Sequence, residues 1–541
     1  MVSASERILE SPEYENNFYV NGLKLFCKYC QNIILDHTDV EILNKHLKNN
    51  KHIKNVEKNV KVTCQYRNVN EREEINIALV RAFTQANIPL EKADSLKDFF
   101  HKFCINGDAI VDSLILQEKY LPTAFDIESS KMREIMYSRR LSIIIDETID
   151  FYGRAVVNVF FSFSGQIILA KTEYLNIVNN TSIAQLIMRT LQFYNIPFNN
   201  IIFFISENAE YMIRAFQVLS PLMPQLKHNR CLAHILNLVG ESWIYYKNFK
   251  FLTNIITNIE TSFIQCPARK RRWCDLMNSL NFHTTIPFDQ NNNHSNELII
   301  LPYLPAKSDW ISWYRFICWI NQHRSQLCTF YIGEEMIDNE SEAIRELTVV
   351  FKSPLHSSIF EIFIMFIALN AKRIVDELEF FKTGNKPIAP YVIRRLEKLK
   401  TELLFYTIQP PFSNEMNTKF LENNIDPKIY IKMFQEAYQL ALNKLKNYIN
   451  HLALPLLNAI QCFDPRYVRT HCIDINSYSE IEEFKNPTNT IIQEWGFYCN
   501  LIEEFGNEEL DLNIYWINKN EILPNLSKLA LDYIWLPVSG V

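Results

Sequence analysis

The sequence predicts an α/β protein carrying a large all-helical addition, and three observations predict it. Between residues 18 and 52 a short hairpin pattern runs into a Cys-x2-Cys knuckle and a helix bearing two histidines. Residues 141–219 alternate compact β-branched runs with helical periods, the pattern of an α/β domain. Residues 250–450 are mainly a succession of long amphipathic helical patterns. A length of 541 residues is enough for several domains, and 48% hydrophobic with 21% charged residues excludes wholesale disorder. Glycine occurs only 10 times, far below the usual share of about 7%. No GxGxxG or GxxxxGK[ST] occurs, which argues against a glycine-cradled nucleotide enzyme. No apolar run reaches the roughly 18 residues of a membrane span, and Met1–Tyr19 is unlike a secretory signal. An intracellular setting is expected, with the 12 cysteines reduced or metal-bound.

Phe18–Phe26 alternates apolar residues about Asn21-Gly22, a type I′ hairpin signal. The second strand leads into Cys27-Lys28-Tyr29-Cys30, and His46 and His52 follow. Between them Asp36 or Thr38 is expected to cap a helix whose apolar positions are Val40, Leu43 and Leu47. The result is a ββα unit with C-x2-C-x15-H-x5-H spacing, the pattern of a structural Zn2+ site. Two strands and one helix bury too little to fold alone, and four ligands closing a tetrahedral site supply the missing energy. His37 and Cys64 are spare candidates of poorer spacing.

Charge is distributed unevenly. Residues 21–62 carry a net +4 within a chain of net −6, and residues 476–541 carry −8. A basic module on an acidic body fits local contact with double-stranded DNA. Asn44, Lys45 and Lys48 are the candidates to face a major groove, with Lys51, Lys54 and Lys58 on phosphates.

Residues 63–140 read as helical, over 75–86, 92–104, 108–118 and 127–138, with Pro89 and Pro122 as breaks. Strands are expected over 141–145, 154–163 and 166–174, with Ser164-Gly165 as a turn. A helix over 182–194, a strand over 201–205 and a helix over 209–219 follow. Two of these strands run into carboxylates, Asp146 and Glu207, a placement that suits paired divalent metals. Such residues are more often caps or surface groups.

Seven stretches, in order along nearly the whole chain, carry a family resemblance: Leu79–Phe83 with Ile88–Leu90, Asp146–Asp150, Ser206–Met212, Arg230–Leu238, Trp310–Tyr314, Phe463–Arg466 and Leu523–Ala530. The sequence resembles hAT-type transposases and proteins derived from them, most of all the group that includes the CGG-triplet-repeat-binding protein, with its BED-like finger. The resemblance implies a finger over 15–62, a helical linker domain over 63–140 and a ribonuclease H-like core beginning at 141–245. It further implies a helical insertion domain over 246–460. The rest of the core and a truncated C-terminal dimerisation region are expected over 461–541.

The same resemblance implies a lost activity. The family's active site is three acids, and the first matches Asp146. The second is normally Asp in Ser-Asp-Asn-Ala, where this chain has Glu207. One extra methylene moves a carboxylate by about 1 Å, a displacement that metal geometry tolerates poorly. The third, a glutamate following a Pro-x-Ser segment, is expected to be missing, because the sequence ends at Leu536–Val541. The family's Arg-Trp appears as Asp309-Trp310, losing a positive charge.

Cys231 and His234 form a CxxH at the start of an apolar helix over 232–246, read as packing and hydrogen-bonding residues and not as half a metal site. Arg269–Arg272 is either a nuclear-import signal and phosphate contact or one solvated turn. Residues 290–294 read as a polar loop, and Trp495, Tyr515, Trp516, Tyr533 and Trp535 have the composition of an interface. The expectation is a nuclear, non-enzymatic DNA-binding protein with one Zn2+, possible regulatory use in transcription, and a body for self-association or protein partners, without a membrane. Its alternatives are an active transposase and a decayed remnant.

Overall fold

The computed structural model describes residues 11–280 and 310–540, other than 22–23, 31, 35–38, 105, 339, 450–452, 472–473 and 502–509, together with Glu6 and Leu9. Side chains of 58–69 are also outside the description. The chain is mixed α/β and mostly helical, in two compact units, Met1–Glu134 and Ile135–Val541. No helix among the described residues is long and apolar enough to cross a membrane.

The first unit begins with α1 (Pro12–Asn17), capped by the Ser11 side chain with proline at the first turn. Strands β1 (Phe18–Asn21), β2 (Lys24–Cys27) and β3 (Ile33–Ile34) form a three-stranded sheet. Asn21 pairs with Lys24 as the last rung of β1–β2, so residues 22–23 make the connection, and they lie outside the described residues. Tyr19 and Phe26 stack across the strands at 5.5 Å. Then come α2 (Val40–Leu47) and α3 (Asn50–Gln85). The expected caps Asp36 and Thr38 lie outside the described residues. The cap observed is Asp39, whose carboxylate accepts from the Glu41 amide at 2.8 Å. Leu43 is the buried position of α2, and Val40 is exposed.

Beyond the finger, α4 (Lys92–Phe103) leads to α5 (Ser113–Ile115), which passes through a π turn, Leu116–Tyr120, into α6 (Leu121–Tyr137). Pro122 was expected to end a helix. The wide turn preceding it absorbs its missing N–H, and the helical path continues. The core here is Val80, Phe83, Leu90, Ala93, Leu116, Tyr120 and Ala124. Asn76, fully buried, ties it together by donating to the Ala109 carbonyl at 3.0 Å and accepting from the Val111 amide at 3.2 Å.

The second unit contains β4 (Leu141–Ile149), β5 (Ala155–Phe163), β6 (Gln166–Leu175), α7 (Asn180–Phe193), β7 (Ile201–Ser206), α8 (Glu210–Leu219), β8 (Lys227–Arg230) and α9 (Leu232–Ile244). The sheet order is β6-β5-β4-β7-β8, with β4, β5 and β6 antiparallel and β4, β7 and β8 parallel. Ser164 and Gly165 both have positive φ, 47° and 79°, as a tight β5–β6 turn requires. β4 runs past the expected end at Ile145, since its pairing with β5 continues to Ile149, so Asp146 and Glu147 lie within the strand. β8 was not expected.

Helices α10 (Lys250–Gln265) and α11 (Pro267–Ser279) precede the undescribed stretch, in which the expected 290–294 loop falls. Then follow α12 (Trp310–Glu334), α13 (Glu342–Lys352), α14 (Pro354–Asn370), α15 (Lys372–Lys382), α16 (Val392–Tyr406), α17 (Asn414–Glu422), α18 (Pro427–Ile449) and α19 (Leu454–Ile460). The helix expected over 357–381 is thus two, and the one expected over 427–456 also divides. The C-terminal part comprises α20 (Pro465–Val468), α21 (Glu482–Lys485), α22 (Asn489–Asn500), α23 (Leu512–Lys519) and α24 (Pro524–Ile534). One continuous apolar core joins sheet, helical body and C-terminal helices. Of the five aromatic residues with the composition of an interface, Trp495, Tyr515, Trp516 and Tyr533 are buried in it as internal packing, and Trp535 is half-buried against it. Gly240 of α9 lies against the Trp310 indole, where a Cβ would come within 2.3 Å of the ring.

Candidate metal centre and nucleic-acid face

The four ligands expected from spacing converge. Cys27 closes β2, Cys30 sits in the knuckle, His46 lies on α2 and His52 on α3, with all ligand atoms within 4.8 Å of one another. The His52 Nδ1 is 3.3 Å from the Cys27 sulfur and 3.5 Å from that of Cys30. A tetrahedral Zn2+ with the usual bond lengths sets its ligands roughly 3.3–3.8 Å apart. The Cys30 amide donates to the Cys27 sulfur at 3.3 Å, as in a knuckle that holds a thiolate.

Two features orient the imidazoles. The His52 Nε2 lies 3.2 Å from the Asn17 side-chain oxygen, which leaves Nδ1 to face the sulfurs. The His46 Nε2 is buried without a hydrogen-bond partner, a costly state that a metal bond would relieve. Burial, and for His46 the neighbouring His52, lowers both imidazole pKa values and so favours the neutral, ligating form. Burial raises the Cys27 thiol; a bound cation would reverse this by deprotonating it. The residues present therefore fit a Cys2His2 metal site. His37 lies outside the described residues, as does the Cys64 side chain.

His46 and His52 stand on two helices and not on the single one expected. The Asn49 side chain accepts from the Lys51 amide at 2.9 Å and starts α3 afresh, and the turn at Lys48–Asn49 brings both rings to the knuckle, 4.9 Å apart. Asn44, Lys45, Lys48, Lys51 and Lys54 are all exposed. Asn44 is also held from behind, its side-chain oxygen accepting from the Tyr14 hydroxyl at 3.0 Å. Tyr14 and Asn17 were missed by sequence reasoning, although Ser11-Pro12 is a helix-start signal that pointed to their element.

The acidic positions of the second unit also meet. Asp146 and Glu207 each stand two residues beyond the last paired residues of adjacent parallel strands, Ile144 and Ile205. Burial and the charge of Glu207 hold the Asp146 carboxyl above its ordinary range. Glu207 accepts from His234 Nε2 at 3.0 Å, and Glu147 accepts from the Tyr211 hydroxyl. The Cys231 sulfur and the Glu207 carboxylate raise the His234 pKa to about 10. The Cys231–His234 pair thus contributes hydrogen bonding beside the acids, with Cys231 also accepting from the Gly540 amide at 3.1 Å.

The basic run is divided: Arg269 and Arg272 are tied to internal carboxylates, while Arg271 is exposed and Lys270 half-buried. Arg269 is buried and pairs with Glu334 at 3.0 Å and Asp338 at 2.6 Å, while Arg272 binds the same Glu334 at 2.6 Å. Arg269 is itself buried with all three guanidinium nitrogens bonded, so it cannot reach a phosphate or an import receptor.

Residues 1–58 match the family described as the CGGBP1 N-terminal domain, and residues 67–123 match the CGGBP1 helical domain. The two matches cover about a fifth of the chain and nearly all of the first unit up to α6. No curated protein matches the chain.

Proposed function

We propose that the chain is a nuclear DNA-binding protein, derived from an hAT-type transposase, whose N-terminal Zn2+ finger contacts duplex DNA and whose body no longer cuts it. The observation that carries the reading is the convergence of Cys27, Cys30, His46 and His52 beside the exposed Lys45, Lys48, Lys51 and Lys54. The metal would lock α2 and α3 at a fixed angle. Their lysines would then neutralise phosphates on one track of the duplex. The CGGBP1-like matches over the same unit support DNA as the partner and the nucleus as the compartment.

The sheet order, three antiparallel strands followed by two parallel ones, supports a ribonuclease H-like body of transposase origin. Loss of cutting is supported by Glu207, a longer acid than the family's aspartate, engaged by His234. In this reading the body serves as a scaffold for self-association or protein partners. The deciding experiment is binding of the full chain to duplex DNA by fluorescence anisotropy, with Zn2+ and with chelator. Zinc-dependent binding without strand cleavage is expected. Failure to bind DNA in either state would leave a decayed transposase as the better reading.

The closeness of Asp146 to Glu207 favours a second reading, a metal-dependent nuclease. Nicking that requires Mg2+ or Mn2+ and disappears in Asp146→Asn would put it in place of the first.

A further inference from the structure

We propose a second phosphate-binding site in the helical body, a basic groove that takes a nucleic-acid backbone. The groove, about 250 Å3, lies between α15 and α16 with Arg466 of α20 and Tyr391 at its end. Arg373, Arg394, Arg395, Lys398 and Arg466 line it.

The charges do not cancel. Glu377, only 1% exposed, lies at the base and binds both Arg373 and Arg395, the latter at 2.6 Å. Arg373 also meets Glu402, and Arg466 pairs with Asp464 at 3.2 Å while reaching the Tyr391 hydroxyl at 3.3 Å. Lys398 approaches a carboxylate only at 4.0 Å, and its side chain is 69% exposed. Arg394 is exposed and has no carboxylate partner among the described residues. Five cations therefore share three carboxylates, on a body whose sequence outside the finger is acidic.

The buried Glu377 also explains why the arginines stay in place. Two guanidinium groups anchored to one carboxylate, with Arg395 laid 3.7 Å over the Phe380 ring, are held before any ligand arrives. An anion then meets donors that lose little side-chain freedom on binding, and planar forks suit the oxygens of a phosphate. A phosphodiester backbone is favoured over an acidic peptide because the same chain carries a finger proposed to bind DNA, whose phosphates repeat one charge along the polymer. This step rests on the proposed DNA-binding function.

The test uses the zinc-loaded full chain and a fluorescent DNA duplex, titrated at several salt concentrations. Three variants are compared with wild type: Arg394→Gln/Lys398→Gln in the groove, Lys247→Gln/Lys250→Gln as an equal charge loss on exposed positions elsewhere, and Cys27→Ser in the finger. The groove variant is expected to lower the slope of log K against log salt by about 1.8, at about 0.9 for each phosphate no longer neutralised, with the control unchanged. Residual binding by Cys27→Ser should disappear when the groove changes are added. Equal slopes for groove variant and wild type would overturn the site while leaving the finger reading intact. Loss confined to the groove variant, with Cys27→Ser unaffected, would overturn the finger reading and keep the groove. Weakened capture of polyglutamate with unchanged DNA binding would assign the groove to acidic peptides and overturn the proposal.

Discussion

Replacing Arg269 by methionine tests whether the basic run is internal structure. The variant keeps the volume of the aliphatic stem but removes the partner that Glu334, 2% exposed, shares with Arg272. It also leaves the Ser262 carbonyl, which accepts from Arg269 at 2.6 Å, without that donor. Breaking one side of a buried ion pair costs about 3–5 kcal/mol, because the remaining charge stays desolvated. At about 2.1 cal/mol/K per residue, the Ile135–Val541 unit has an unfolding entropy near 0.85 kcal/mol/K, which converts that cost to a fall in Tm of about 4–6 °C. Glu334→Leu alone should cost a comparable amount. The pair Arg269→Met/Glu334→Leu should cost less than the sum of the two, since neither charge is then stranded. Lys270→Gln/Arg271→Gln, which touches neither carboxylate, should leave Tm within about 1 °C. Calorimetry of the four variants and the wild type reads these values. An unchanged Tm for Arg269→Met, accompanied by loss of nuclear import, would refute the internal network and restore the signal reading.

Three further outcomes are expected. Chelation, or His46→Ala, should abolish binding of one Zn2+ per chain, read by elemental analysis, and remove hydrogen-exchange protection of Leu25 and Leu43, whose core is otherwise small. Gly240→Ala should destabilise by about 1–3 kcal/mol, because its methyl would meet the Trp310 ring; a normal denaturation midpoint would contradict the packing. Asp532 has a pKa raised by burial against the opposing charge of Arg140, so it favours the protonated state in the fold. Its contribution is therefore fully present below the ordinary carboxyl pKa and lost as pH rises through the raised one. Asp532→Asn should raise Tm at pH 7 relative to wild type and give no gain near pH 3, checked by thermal scans across that range.

The strands that were legible are those whose own residues favour extension. Leu141–Ile145 and Ile201–Ile205 are β-branched or aromatic runs that any central strand would use, and they form β4 and β7. β8, Lys227-His228-Asn229-Arg230, has no such signal. It exists because β7 offers it a parallel edge and because His228 stacks between Phe204 at 5.1 Å and Phe216 at 5.3 Å. Nothing within four polar residues announces partners supplied by two other elements. The finger's helix failed in the opposite direction: apolar spacing suggested one helix, while the Asn49 cap divides it. Asparagine is an ordinary helix-start residue, but its role there became visible only once both histidines had to reach one point.

Metal ligands were readable because tetrahedral coordination constrains spacing within a short stretch of chain. The groups that tune them obey no such constraint. Asn17 acts on His52 across 35 residues and Tyr14 on Asn44 across 30, through geometry that the three-stranded sheet creates. The basic groove lies still further from any motif. Its cations come from residues 373 to 466, and the buried Glu377 that organises two of them looks in sequence like one more charge on an amphipathic helix. What separates it from a solvated surface acid is burial, which forces it to hold the guanidinium groups on both sides and thereby fixes where an anion can dock.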